Sequence, residues 1–160
     1  MKPESSLIIR CAQESEAAEL SALAVAAKRH WSYSDAQIEA WRADLEVTSA
    51  DISDGILFVA ERSGRAAGFY VLVESPSRWL LDDLWVLPAF SRQGIGRALL
   101  EHAKQTAVAG GAAEIAIDAD PNAEGFYLAC GARRIGEVAA PIDGDRTRVR
   151  PQMLLALYRS

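Results

Sequence analysis

The segment PAFSRQGIGRALLEHA, residues 88–103, constrains the fold of this chain more than any other stretch. Gly94 and Gly96 stand at the start of a helical pattern, although each glycine costs a helix about 1 kcal/mol relative to alanine. A strand, a glycine turn and a helix in this order direct several backbone N–H groups to one place, where the helix dipole adds positive charge. Glycine also lets an anion approach the backbone closely. The segment therefore predicts a phosphate site, with Arg92 and Arg97 available for charge-assisted contacts.

Two common phosphate-binding motifs do not match this segment. A dinucleotide fingerprint needs a third glycine where Leu99 stands, and it follows a first strand rather than lying beyond the middle of the chain. A Walker loop needs G-x-x-x-x-G-K-[ST], which the sequence does not contain. Two interpretations remain, a phosphate site of another kind and a turn whose glycines only relieve steric crowding.

The remaining sequence predicts an α+β fold in one domain, residues 1–160. Apolar periodicity predicts helices over residues 14–31, 34–47, 97–109 and 122–131. Runs rich in β-formers predict a first strand at 6–12, a hairpin at 56–74, and further strands at 78–87, 113–120, 132–138 and 150–158. This order predicts a mixed, mostly antiparallel central sheet with helices on both faces. We expect a single domain because no repeat or low-complexity linker divides the chain.

Local signals support the first two helices. The first helix carries an apolar stripe of Leu20, Leu23, Ala24 and Ala27. Ser34 is the expected N-cap of the second helix, with Gln37 three residues later as in a capping box. The apolar face of that second helix consists of Ile38, Trp41 and Leu45.

Composition and charge argue against several classes of protein. The net charge of −5 over 160 residues disfavours a general nucleic-acid or anionic-membrane binder. Cys11 and Cys130 are the only cysteines and form no Cys-x-x-Cys pattern, so we expect neither a disulfide framework nor a metal site. No stretch of 18 apolar residues and no signal-peptide pattern are present, which predicts a cytoplasmic protein.

Two stretches, LDDLWVLPAFSRQGIGRALLEHA and GAAEIAIDADPNAEGFYLACGARRIGE, together resemble the cofactor-binding half of GNAT-superfamily N-acetyltransferases. Members of that superfamily hold the pyrophosphate of acetyl-CoA with a strand, an [RQ]-x-x-G-x-[GA] turn and a helix. The combination of LWVLP, the glycine turn and FYLACGA in this order is specific, and the element order matches along nearly the whole chain. The resemblance implies the GNAT fold, with acetyl-CoA as co-substrate.

The resemblance also assigns residues to the cofactor. Backbone N–H groups of the turn would bind the pyrophosphate, namely those of Arg92, Gln93, Gly94, Ile95, Gly96, Arg97 and Ala98. The main chain of Leu84, Trp85 and Val86 would pair with the pantetheine arm like an added strand, and the Val86 N–H would donate to the thioester carbonyl.

The match departs from the family at two places. Ser91 stands where the family has Arg or Gln, with Arg92 one position late, but the contacts are mostly made by the main chain. Asp120 stands where relatives often have Asn, and Asn122 follows two residues later. Asn122 and Phe126 are the expected cofactor contacts beyond the fifth strand.

The implied reaction is direct acetyl transfer to an amine, which needs a base and an acid. Tyr127 aligns with the family's proton donor to the leaving thiolate, the alternative being a core aromatic. Asp82 is the candidate base because it aligns with an acidic position in some relatives and shares a strand face with Val86, the alternative being a solvated strand end or a turn salt bridge. Asp83 points to the opposite face, and proton removal by water is also compatible with the family.

The acceptor site is expected where the first two helices meet. His30, Trp31 and Tyr33 are the candidate substrate contacts, with Trp41 nearby, because aromatic faces line small-molecule slots and hold cations. The alternatives are packing for the tryptophans and a helix C-terminal position for His30. Cys130 is interpreted as a buried structural thiol.

These observations predict an acetyl-CoA-dependent N-acetyltransferase for a small-molecule amine, with no nucleic-acid or membrane partner and a possible homodimer through the C-terminal strands. The alternatives are a catalytically silent acyl-CoA sensor and a protein lysine or N-terminal acetyltransferase. Arg146 and Arg148 lie in a polar segment expected to form a solvated hairpin, the alternative being a site for an acidic partner.

Overall fold

The computed structural model describes residues 6–76 and 78–157. Their helices are α1 (Ala17–Arg29), α2 (Asp35–Leu45), α3 (Ser49–Asp54), α4 (Ile95–Ala109) and α5 (Glu124–Ala129). Their strands are β1 (Ile8–Cys11), β2 (Ile56–Arg62), β3 (Arg65–Val73), β4 (Trp79–Val86), β5 (Glu114–Asp118), β6 (Arg133–Ala139) and β7 (Val149–Ala156). Short 3₁₀ turns lie at Glu14–Glu16, Pro88–Phe90 and Pro121–Ala123.

The strands hydrogen-bond in the order β1-β2-β3-β4-β5-β7-β6. β4 and β5 pair in parallel, as expected for strands joined by a helical connection such as α4. By contrast, β1–β2, β5–β7 and β7–β6 are antiparallel pairs. The predicted α+β class with a mixed, mostly antiparallel sheet is confirmed.

The chain forms two compact units, each built from separate segments. One holds the described residues up to Val71 together with Asp83–Ala103; the other holds Leu72–Asp82 and the described residues from Lys104 onward. This division leaves the prediction of a single domain untested. Tyr158, at the end of the last predicted strand, lies outside the described residues.

The first unit contains the helix faces that the sequence predicts. All four members of the α1 stripe are buried, namely Leu20, Leu23, Ala24 and Ala27. The Ser34 hydroxyl caps α2 by accepting a hydrogen bond from the Gln37 N–H at 3.1 Å. Ile38 and Leu45 of α2 are buried, and Trp41 packs partly buried against the core.

The second unit contains a buried ion pair that corrects a prediction. Arg148 was expected in a solvated hairpin, but its side chain and that of Asp120 are each only 5% exposed and lie 3.4 Å apart. Arg148 Nη1 also donates to the Ala140 carbonyl at 3.1 Å. Arg146 is exposed and pairs with exposed Asp143 at 3.7 Å, in agreement with a solvated loop. A buried charge needs a partner, and Asp120 satisfies that need for Arg148 from 28 residues away.

Candidate active site

The glycine turn has the backbone geometry of an anion site. It follows the 3₁₀ turn Pro88–Phe90, and two of its residues have left-handed backbones, Arg92 at φ 62° and Gly94 at φ 78°. The Ala98 N–H donates to the Gly94 carbonyl at 3.0 Å, so α4 begins its hydrogen-bond ladder there. The N–H groups of residues 95–97 precede that bond and have no acceptor within the helix. The turn therefore leaves backbone donors at the start of α4, where the sequence predicts a phosphate site.

The surroundings of this turn fit an anionic ligand. No described heavy atom lies within 4 Å of the place a Gly94 Cβ would occupy, so this side of the turn is open. Arg62, at the end of β2, donates from Nη1 to the Gln93 side-chain oxygen at 2.8 Å. Its Nε is buried and finds no hydrogen-bond partner among the described residues. The contact with Gln93 brings the Arg62 positive charge to the turn that precedes the N-terminus of α4, a combination that suits a diphosphate.

The β2–β3 hairpin supplies a second arginine to the same region. The Arg65 guanidinium lies 5.3 Å from the centre of the Phe90 ring, immediately before the turn. Neither hairpin arginine is among the residues that the sequence predicts for the site. The available signal was the basic turn RSGR at residues 62–65, which carries two charges but no indication of where they point.

Strand β4 runs very close to β3 where the thioester is expected. A Cβ added to Gly68 would lie 2.6 Å from the Trp85 carbonyl oxygen and 3.3 Å from the Val86 Cα. The Leu87 N–H donates to the Ala67 carbonyl at 2.7 Å. Gly68 therefore permits the backbone approach that fixes Trp85 and Val86.

The two consecutive aspartates of β4 lie in different surroundings. Asp83 is half-buried, and its Oδ1 accepts a hydrogen bond from the Trp85 indole Nε1 at 3.0 Å. This contact follows from strand alternation, which directs residues i and i+2 to one face. Asp82 is exposed. The structure thus pairs Asp83 with an aromatic side chain, and the face that Asp82 presents stays a prediction.

Four aromatic rings surround a lysine ammonium where α1, α2 and β4 meet. Lys28 Nζ lies 4.4 Å from the ring centre of Trp41, 5.2 Å from Tyr33, 5.8 Å from Trp85 and 5.9 Å from Trp31. We call these four rings the aromatic cage. Its rings also contact one another in pairs, Tyr33 with Trp41 edge-to-face at 4.8 Å and Trp31 with Trp85 at 5.8 Å.

The cage contains two of the three predicted substrate residues. Trp31 and Tyr33 belong to it, whereas His30 is an exposed residue at the C-terminal end of α1. The His30 N–H donates to the Ala26 carbonyl at 3.2 Å, in line with the helix-end alternative. The sequence does not predict Lys28 as a member of this group. One of its ring contacts is with Trp85, 57 positions later, and a local pattern gives no sign of such a contact.

The second unit carries the proposed proton donor. Tyr127 of α5 is buried, and its ring packs edge-to-face on Phe126 with 5.2 Å between ring centres. Asn122 is exposed, and its Nδ2 donates to the Asp120 Oδ1 at 2.9 Å. Asp120 therefore contacts both Asn122 and Arg148.

Cys130 is a free thiol that is half-buried, whereas the sequence predicts a buried one.

A polar contact between buried Tyr70 and half-buried His102 holds α4 in the first unit. The Tyr70 hydroxyl lies 2.7 Å from His102 Nδ1, and the Phe58 ring packs 4.7 Å from the imidazole. Burial lowers the pKa of His102 below its usual value. Since His102 follows the glycine turn by about two helical turns, this pair anchors the helix whose N-terminus faces the candidate anion site.

Within residues 6–76 and 78–157, no helix is long and apolar enough to cross a bilayer. The same part contains no group of three or more His, Cys, Asp or Glu side chains placed to hold a metal ion.

Comparison with known proteins finds one matching family and several structures of similar fold. The sequence pattern of the Acetyltransferase (GNAT) family matches residues 16–132. The comparison with curated proteins gives no match. Among solved structures, a GCN5-related N-acetyltransferase from Rhodopseudomonas palustris is similar at 24% identity and a TM-score of 0.77, covering 98% of this chain and 99% of that one.

Two other solved structures share the fold at 18% identity. The PaiA N-acetyltransferase from Thermoplasma acidophilum, in complex with coenzyme A, has a TM-score of 0.75 over 94% of this chain and 99% of that one. The ribosomal-protein-S18-alanine N-acetyltransferase from Escherichia coli has a TM-score of 0.72 over 97% of this chain and 96% of that one.

Proposed function

The chain belongs to the GNAT family of acetyltransferases, and we propose that it moves the acetyl group of acetyl-CoA directly to an amine of a small molecule. The observation that carries the proposal is the glycine turn, which is open on the Gly94 side, precedes the N-terminal donors of α4 and is contacted by Arg62 through Gln93. The similar structure of PaiA was solved with coenzyme A, which supports the same co-substrate for this chain.

Acetyl-CoA supplies an activated acetyl thioester, and the residues of β4 and the turn bind it. Backbone N–H groups from Arg92 to Ala98 hold the pyrophosphate, and Arg62 adds a charge-assisted contact. The main chain of Leu84, Trp85 and Val86 binds the pantetheine arm, and the Val86 N–H donates to the thioester carbonyl oxygen. Phe126 and Asn122 are proposed further contacts.

Two side chains are proposed to move protons. An alkylamine has a pKa of about 10, so at neutral pH it must lose a proton before its nitrogen attacks. Asp82, directly or through water, takes that proton. Tyr127 gives its phenolic proton to the departing sulfur.

The first experiment is calorimetric titration of acetyl-CoA into the wild type and the Gly94→Val variant. We expect micromolar binding by the wild type and loss of binding in the variant, because a β-branched residue is strained at φ 78° and fills the open side. Gly144→Val is the matched control, since Gly144 also has a positive φ of 87° and open surroundings but lies outside the turn. Equal affinity in all three proteins would contradict a phosphate site at the turn.

Turnover then tests the reaction. Release of coenzyme A thiol in the presence of a panel of small amines is expected for the wild type. Tyr127→Phe is expected to lower kcat while acetyl-CoA still binds. Binding without turnover on any amine or peptide would favour the acyl-CoA sensor, and acetylated partner proteins without acetylated metabolites would favour a protein acetyltransferase.

A pair of isosteric variants identifies the base. Asp82→Asn is expected to lower kcat most at neutral pH and to lose part of that defect at high pH, where free amine is abundant. Asp83→Asn preserves the size of the side chain and its ability to accept the hydrogen bond from Trp85. This variant is expected to retain the kcat of the wild type. The reverse pattern would assign the base to Asp83, and two active variants would assign proton removal to water.

We also propose a cytoplasmic homodimer. The residues of β6 are all exposed, and β6 is the last strand in the sheet order, so its outer edge is available for pairing with a second copy. Light scattering of the purified protein is expected to give twice the chain mass of 17.3 kDa. A monomeric mass across the micromolar range would contradict the dimer.

A further inference from the structure

We propose that the aromatic cage is a binding site for a cationic group of the acceptor, and that the Lys28 ammonium occupies this site when no acceptor is bound. The inference rests on the proposed function, which it narrows to acceptors with a second ammonium group, such as diamines. Lys28 is then a specificity-determining residue, because every cationic acceptor must compete with it.

The cage has the composition of an ammonium site. A cation is attracted to an aromatic face within about 6 Å of the ring centre, and all four rings meet that distance from Lys28 Nζ. The Asp83 carboxylate, hydrogen-bonded to the Trp85 indole, adds a negative charge beside one wall. Quaternary and protonated amines are the ligands that such surroundings recognise.

The position of Lys28 gives the cage an internal occupant. Lys28 lies in the last turn of α1, where a basic side chain usually extends into solvent near the helix carboxyl end. Its ammonium instead lies among rings contributed by the segment after α1, by α2 and by β4. A lysine side chain is long and flexible, so it can leave the cage without a change in the backbone.

Chemistry determines which nitrogen of the acceptor enters the cage. The aromatic faces stabilise a charged ammonium, whereas the nitrogen that attacks the thioester must be uncharged. The cage therefore holds a nitrogen other than the one that is acetylated. An acceptor with one amine and no other cation gains nothing from the cage.

Tetramethylammonium is the probe, because it cannot be acetylated and its binding needs no acetyl-CoA. Titration followed by tryptophan fluorescence is expected to show weak binding to the wild type. Binding to Lys28→Ala is expected to be about tenfold tighter if Lys28 fills the cage nine-tenths of the time. Lys28→Met, which keeps an apolar stem, is the second variant in case the alanine protein does not fold, and it is also expected to bind tighter than the wild type.

Arg29→Ala is the matched control, since it removes a neighbouring positive charge from α1 at a residue whose guanidinium pairs with the exposed Asp35 at 4.0 Å. It is expected to match the wild type, and Trp41→Leu in the Lys28→Ala protein is expected to abolish binding. Equal affinities of the wild type and both Lys28 variants, or no binding to any of them, would overturn the proposal and leave Lys28 as a structural contact.

The two proposals fail in different ways. Absence of tetramethylammonium binding in an active acetyltransferase removes only the cage as an ammonium site. Tetramethylammonium binding in a protein without acetyl transfer contradicts only the proposed function. In an active enzyme, Lys28→Ala is further expected to lower the KM of a diamine about tenfold and to leave that of a monoamine of equal length unchanged.

Discussion

Replacing Gly68 by alanine tests whether the backbone contact between β3 and β4 fixes the thioester end of the site. The new Cβ would lie 2.6 Å from the Trp85 carbonyl oxygen and 3.0 Å from a Leu99 methyl group, closer than normal contact. Both neighbours are constrained, one as backbone and the other as a buried side chain, so β4 must shift. Overpacking of this kind costs about 1 to 3 kcal/mol.

For a chain of this length, that free energy corresponds to a Tm lower by about 2 to 12 °C, measurable by thermal unfolding. Because Val86 is displaced with Trp85, the KM for acetyl-CoA is expected to rise as well. Gly136→Ala is the matched control, since Gly136 is also a strand glycine but has no heavy atom within 4 Å of its Cβ position. A Gly68→Ala protein with the Tm and KM of the wild type would refute the argument that this contact positions the strand.

Three further predictions concern other contacts. Burial lowers the pKa of folded-state His102, so below about pH 6.5 the unfolded chain binds more protons than the folded one and the wild type loses stability as the pH falls. His102→Gln is expected to make this loss of stability smaller, which unfolding measured at pH 7 and at lower pH checks. Asp120→Ala is expected to cost about 3 to 5 kcal/mol in urea unfolding because it leaves Arg148 buried without its carboxylate, whereas Glu39→Ala, in an exposed pair, changes little. Arg62→Met is expected to weaken acetyl-CoA binding about tenfold or more by calorimetry, and unchanged affinity would remove Arg62 from the site.

The elements of the fold that were predicted correctly are those with strong local signals. The α1 stripe and the Ser34 cap depend on residues three or four positions apart, which a single sequence displays directly. Helix α3 was missed because six residues are too few to show periodicity. Its capping box was nevertheless visible, since the Thr48 hydroxyl accepts from the Asp51 N–H and the Asp51 carboxylate accepts from the Thr48 N–H.

In the candidate site, too, local sequence signals predict some features, whereas contacts between distant residues are not predicted. The glycine turn was predicted because an anion site at a helix N-terminus is built from consecutive residues. Arg62 and Gln93 are 31 positions apart, and nothing in either local pattern indicates that they meet. Arg148 is a second case in which a partner distant in sequence decides the outcome. Its own segment is polar and predicts a solvated loop, but the Asp120 carboxylate, 28 residues earlier, pairs with Arg148 in the interior.

The aromatic residues near the first two helices show why composition alone left two interpretations open. Trp31 and Trp41 are half-buried, which suits both packing and ligand contact, so burial does not separate the two roles. The observation that favours ligand contact is the charge that the rings surround. Packing requires only apolar neighbours, whereas four ring faces around the Lys28 ammonium stabilise a cation at a defined point. This is the observation behind the proposed ammonium site, and packing at a helix corner is the alternative that the tetramethylammonium titration tests.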